Sequence, residues 1–122
     1  MHAPLNVGDV AWVVFDPALG TEQAGRRPAL VLTSQAYHQR ARRALVAPIT
    51  RNPREWTFHV PIPSGLNVDG AVMVDQVRMI DRVARVFEVF TTLPEETVAE
   101  VRGRLAALIG CEPRAGRISE IP

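Results

Sequence analysis

Lysine is missing from this 122-residue chain: all 14 basic side chains are arginine. A phosphate-loop lysine and a Schiff-base lysine are thereby excluded. Every positive contact falls to a guanidinium, whose planar fork still grips phosphate through two N–H groups. Cysteine is nearly absent as well. Cys111 stands alone, so neither an internal disulfide framework nor a cysteine-based metal site can form. No apolar run approaches the roughly 20 residues of a membrane span. The opening M-H-A-P-L-N-V-G-D has neither the charged start nor the apolar stretch of a signal peptide. These absences point to a cytoplasmic protein without a membrane partner.

What is present is ordinary in amount and uneven in placement. The chain is 47% hydrophobic, enough for one domain with a real core, and its net charge is only +1. From Asp16 to Val60, however, seven arginines meet three acids, whereas from Pro61 onward seven arginines meet nine acids. A basic first half suits an anionic partner; the alternative is an Arg-rich, solvated surface.

Residues 7–15 read as a strand with apolar residues on both faces, hence a central one, with Trp12 in the core. Residues 28–33 read as a second buried strand, and 34–38 as a turn or single helical turn. A third strand covers 44–50 (A-L-V-A-P-I-T), and its Pro48 belongs at an edge, a bulge or near the strand's end. In residues 56–62, Trp56, Phe58, Val60 and Ile62 alternate with polar neighbours, a half-exposed strand. Short strands follow at 71–74 and 76–80 around Asp75, and another at 83–90. T-L-P-E at 92–95 fits a capping box with Thr92 as N-cap. The helix it opens repeats Val98, Val101, Leu105, Leu108 and Ile109 on one face and ends at Gly110. The pattern predicts a mainly β, α+β fold: a strongly bent antiparallel sheet or small barrel with a C-terminal helix. One domain spans residues 1–110, and 111–122 reads as a loose tail.

The connection between the first two strands stands out. It ends in G-T-E-Q-A-G-R-R-P (20–28), which carries an acid, an amide and two guanidiniums. That set suits binding and reshaping a phosphate; a solvated hairpin loop is the plain alternative.

Five pieces in order then resemble the MazF/PemK family of toxin endoribonucleases. They are G-D-V-A-W-V-V-F-D-P (8–17), G-T-E-Q-A-G-R-R-P-A-L-V-L (20–32), A-L-V-A-P-I-T (44–50), D-G-A-V-M-V-D-Q-V-R-M-I-D (69–81) and L-P-E-E-T-V-A-E-V (93–101). The resemblance implies an SH3-like (CcdB/PemK-like) small barrel. It also implies sequence-selective cleavage of single-stranded RNA by the adjacent 2′-hydroxyl, with neither metal nor cofactor. A homodimer with a basic groove and a small MazE-like antitoxin that blocks it are implied too. The family's catalytic Arg falls on Arg27 and its catalytic Thr on Thr50. Glu22 matches the loop acid, a base or a positioner of Arg27. Gln23, Arg26, Arg51, Arg54, Asp75, Gln76 and Arg78 are the implied RNA contacts. Thr21 and Met73 stand where the PemK branch has His and Arg. The reading therefore rests on Arg27 and Thr50, and which group moves each proton is left open.

Two other readings stay beside this one: a CcdB-like gyrase poison on the same fold, and an inactive member that binds only RNA or antitoxin. Among lesser candidates, His38 and His59 read as loop and surface residues with RNA contact as the alternative. Trp56 reads as core or dimer interface rather than as a base-stacking platform. Asp75 and Arg78 divide evenly between an ion pair and chemistry.

Overall fold

The computed structural model describes residues 4–15 and 25–111 of the chain. Seven strands, β1 (Asp9–Val14), β2 (Arg26–Val31), β3 (Arg43–Thr50), β4 (His59–Pro61), β5 (Ala71–Met73), β6 (Arg78–Asp81) and β7 (Val86–Thr92), form one antiparallel sheet. Its order is β4-β5-β3-β2-β1-β7, with β6 paired to β3 off that path. β3 is the hinge of this layout. It pairs with β6 through Arg43–Val46 and with β5 through Ile49 and Thr50. Pro48 falls between the two partners, two residues before the strand's end, where a missing N–H breaks no ladder. The sheet curls without closing, since β6 and β7 are joined by the helical turn α2 (Arg82–Arg85) and not by a ladder.

Side-chain alternation divides the apolar residues between two cores. On one face Val10, Leu30, Ala47 and Ile49 pack with Leu93, Val98 and Val101, the last two from the helix α3 (Glu95–Leu108). On the other, Val13, Phe15, Ala29, Val31, Ala44, Val46 and Ile80 form a second cluster, with Val86 and Leu5 at its margin. β1 is thus central and buried on both sides, as its sequence requires.

Several expectations need correction. Trp12 is only half-buried; it stacks on Phe90 at 5.4 Å and takes the Arg26 guanidinium at 5.3 Å from its ring centroid. The strand over 56–62 shrinks to β4, and Trp56, 40% exposed in the single chain, is not a core residue, which leaves its dimer-interface reading in place. The strand over 83–90 starts late, because the Asp81 carboxylate accepts the N–H groups of Val83 and Ala84 and caps α2 instead. Thr92 caps nothing: it ends β7 opposite Asp9, its hydroxyl donates to Asp9 Oδ1 (3.2 Å), and Pro94 is the N-cap of α3. The other end of α3 behaves as expected. Gly110 takes φ +85°, and the Gly110 and Cys111 N–H groups return to Ala107 and Ala106 in a Schellman closure. Apart from Cys111, the tail at 111–122 lies outside the described residues.

The turn at 34–38 is the short helix α1 (Gln35–His38), capped by Ser34. His38 is buried: Nδ1 meets the Leu5 carbonyl at 2.9 Å and Nε2 meets Thr33 Oγ1 at 2.7 Å. It pins the N-terminal segment and is neither a loop residue nor an RNA contact.

Candidate active site

Arg27 stands near the start of β2, half-buried, opposite Val13 of β1. Thr50 ends β3, half-buried, opposite Ala71 of β5. β2 and β3 pair from Val31–Val46 to Ala29–Pro48 and then part. Arg27 and Thr50 each lie two residues beyond that last pair, Ala29 and Pro48. By alternation Arg27 shares the face of Ala29 and Val31, and Thr50 that of Ala44 and Val46, which is one face of the sheet. Arg27 and Thr50 therefore fall on one face of the sheet, on the two sides of the gap, or slot, that opens beyond the last β2–β3 pair.

Thr50 is firmly held. Its Oγ1 accepts the Asn52 N–H at 3.1 Å, which leaves the hydroxyl hydrogen to donate elsewhere. Behind it, Gly70 packs against the Thr50 carbonyl. Sequence analysis singled out neither Gly70 nor Asn52 as a support of Thr50; T-x-N after a strand was the available cue for Asn52.

Arg78 lies on the same face, opposite Val46, and its guanidinium sits 5.5 Å from the Phe15 ring centroid. Nη1 of Arg78 is buried and has no hydrogen-bond partner among the described residues. Phe15 in turn is tied to Gly25 by a backbone bond of 2.8 Å, so Arg78 reaches the root of β2. Arg26 points the other way. It is exposed on the opposite face of β2, between the rings of Trp12 and Phe87 (5.3 and 5.8 Å).

A second group lies on the connection after β3. Arg51 and Arg54 are exposed there, and Arg54 sits 5.8 Å from the Trp56 ring centroid. The Trp56 indole N–H donates to Asp75 Oδ2 at 2.9 Å. Asp75 lies in a 3-10 turn, Val74–Gln76, before β6. Among the described residues Asp75 and Arg78 form no ion pair, since one is taken by Trp56 and the other lies over Phe15. The Gln76 Oε1 is buried without a partner among the described residues. His59 accepts the Arg54 N–H at 3.3 Å through Nδ1. Glu22 and Gln23, with Thr21, lie outside the described residues.

Chemically, this face carries a two-pronged cation, a hydroxyl donor and a second guanidinium at the ends of neighbouring strands. A phosphodiester fits that donor set.

Residues 6–109 match the family model of the PemK-like, MazF-like toxins of type II toxin–antitoxin systems. The endoribonuclease toxin ChpB of Escherichia coli strain K12 is 44% identical over 108 residues, 84% of this chain and 91% of the relative. The crystal structure of MazF from Deinococcus radiodurans superposes with a TM-score of 0.84 at 37% identity, covering 89% of this chain and 99% of that one. A MazE–MazF complex from the same organism matches at 0.78 and 36% identity, over 89% of this chain and 98% of that one. The match runs through both strands that border the slot and through α3, and on it the chain belongs to the PemK-like, MazF-like toxin family of type II toxin–antitoxin systems.

Proposed function

We propose that this chain is the toxin of such a system, an endoribonuclease that cuts single-stranded RNA, messenger RNA foremost, in the bacterial cytoplasm and so arrests translation. The observation that supports the reading is that Arg27 and Thr50 lie on one face of the sheet, each two residues beyond the last β2–β3 pair, Ala29–Pro48. The endoribonuclease relatives and the MazE–MazF complex support it.

In this mechanism the 2′-hydroxyl of one nucleotide attacks the adjacent phosphorus. A new P–O2′ bond forms, the P–O5′ bond breaks, and the products are a 2′,3′-cyclic phosphate and a 5′-hydroxyl. One proton leaves the 2′-oxygen and one arrives at the 5′-oxygen. The Arg27 fork holds two phosphate oxygens and stabilises the charge that grows on them. The Thr50 hydroxyl donates to the same phosphate and fixes its angle of attack. Glu22 positions Arg27 or takes the 2′-proton, and Gln23, Arg51, Arg54, Asp75, Gln76 and Arg78 line the path of the strand. Arg26, on the far face of β2, contributes through Trp12 and Phe87. The working form is a homodimer, and a small MazE-like antitoxin covers the groove.

The test is cleavage of a long single-stranded RNA in EDTA by wild type, Arg27→Ala and Thr50→Ala, with fragment ends mapped. Discrete cuts bearing 5′-hydroxyls, lost in both variants, are expected. Intact RNA with folded wild-type protein would overturn the reading and leave the gyrase-poison and binding-only alternatives. Against the gyrase poison stands the relative's endoribonuclease activity.

A further inference from the structure

The two halves of the candidate site are carried by parts of the sheet that no ladder joins at that point. Thr50 ends β3, which pairs with β5 and β6. Arg27 lies in the stretch of β2 that pairs only with β1 among the described strands, past the end of the β2–β3 ladder at Ala29–Pro48. Arg78 crosses from the first part to the second. It is paired to Val46 of β3, and its guanidinium lies 5.5 Å from the ring centroid of Phe15, the residue after β1. That ring is fully buried in the core shared with Val46 and Ile80, so it offers the cation a fixed face. The Phe15 N–H donates to the Gly25 carbonyl at 2.8 Å, and Arg27 follows two residues later.

Arg85 reinforces the link from the helical turn after β6: its Nη1 donates to the Val14 carbonyl, one residue before Phe15, at 3.2 Å. We infer that Arg78 is a positioning residue for the cut. Through Phe15 and the Phe15–Gly25 bond it sets the end of β2, and with it the Arg27 guanidinium, relative to the Thr50 hydroxyl. The inference rests on the endoribonuclease reading and gives Arg78 a part beyond lining the path of the strand. Arg27 stays able to grip a phosphate when this end of β2 shifts, so the loss falls on the geometry of attack and not on affinity. A misplacement of about 1 Å is enough to slow a reaction by about 10²-fold.

The test is a double-mutant cycle on RNA cleavage by wild type, Arg78→Met, Phe15→Leu and the double variant, each assayed below its melting range. Both replacements keep apolar bulk and remove the cation or the ring. Each single variant is expected to lower kcat by about 10- to 100-fold with KM within about two-fold of wild type. The double variant is expected to be no slower than the slower single one. Losses that multiply in the double variant overturn the inference. So does a change confined to KM, which assigns Arg78 to RNA binding alone. Amide hydrogen exchange supplies a readout without RNA: the Phe15 N–H is expected to exchange several-fold faster in Arg78→Met, while the β3 amides keep their protection. Equal exchange at Phe15 in wild type and Arg78→Met overturns the inference, even where Phe15→Leu fails to fold. Folded wild type that leaves RNA intact overturns the endoribonuclease reading and the inference together, whereas each of the other failures spares the reading.

Discussion

Gly70 leaves no room for a side chain behind Thr50: a Cβ on it would lie 1.9 Å from the Thr50 carbonyl oxygen and 2.9 Å from the carbonyl carbon. Its φ of +111° is in any case one that L-residues resist. Gly70→Ala must push the end of β3 aside, at a cost of about 1–3 kcal/mol. Gly65, at φ +91° with open space around it, supplies the control that carries strain without a clash. Denaturant melts should show the larger loss for Gly70→Ala. Its cleavage rate should drop by about 10²-fold in the protein that remains folded, since a displaced Thr50 no longer meets the phosphate.

Asp75 is held by the Trp56 indole, which separates two roles it could play. Asp75→Asn keeps an oxygen for the indole and removes the charge; Asp75→Ala removes both. Retained cleavage in the first and reduced cleavage in the second, with a red shift of Trp56 fluorescence in a Trp12→Phe background, are expected. Equal inactivity of the two variants would instead assign Asp75 a proton-transfer step.

The Arg42 hydrogen bonds, helped by those from the Ala84 and Val83 N–H groups, hold the Asp81 carboxyl below the ordinary carboxylate range. A lowered folded-state pKa stabilises the fold above the unfolded-state value, and that contribution disappears as pH falls through the folded value. Asp81→Ala should therefore melt below wild type at neutral pH, and the gap should close progressively in acid. A gap independent of pH would mean that the cap and the Arg42 pair contribute nothing through charge.

His38 bridges Leu5 and Thr33, and Thr33 Oγ1 also accepts the Leu45 N–H at 3.1 Å. His38→Ala strands buried polar groups, and a loss of about 1–3 kcal/mol in chemical denaturation is expected. RNA affinity measured below the melting range should hardly move.

The order of the strands, the helix and the two pairs of apolar faces was legible because periodicity reports burial directly. Val13 and Val10 fall on opposite sides of β1, and each belongs to a different core. Local competition was not legible. Thr92 fits a capping box letter by letter, yet the β7 ladder and Asp9 claim it first. Val83 to Arg85 look like strand until the Asp81 carboxylate caps them as a helical turn. For the candidate site, alternation along β2 and β3 agrees with a shared face for Arg27 and Thr50. Gly70 was not legible, because its constraint is a backbone contact made twenty residues from Thr50 in sequence. Arg78 and Phe15 were equally invisible as a pair, since only the fold brings β6 to the end of β1.

The parting of β2 and β3 after Ala29–Pro48 has a thermal consequence. Thr50 is anchored by β5 and by Gly70, in the interior of the sheet, whereas Arg27 is laddered only to β1 among the described strands, at the root of the 16–24 connection. Opening of this end of β2 breaks a single strand pairing, and it would separate Arg27 from Thr50 while the cores stay packed. Cleavage should therefore fade on warming several degrees before the fold itself melts, reversibly, as the guanidinium leaves a hydroxyl that has not moved.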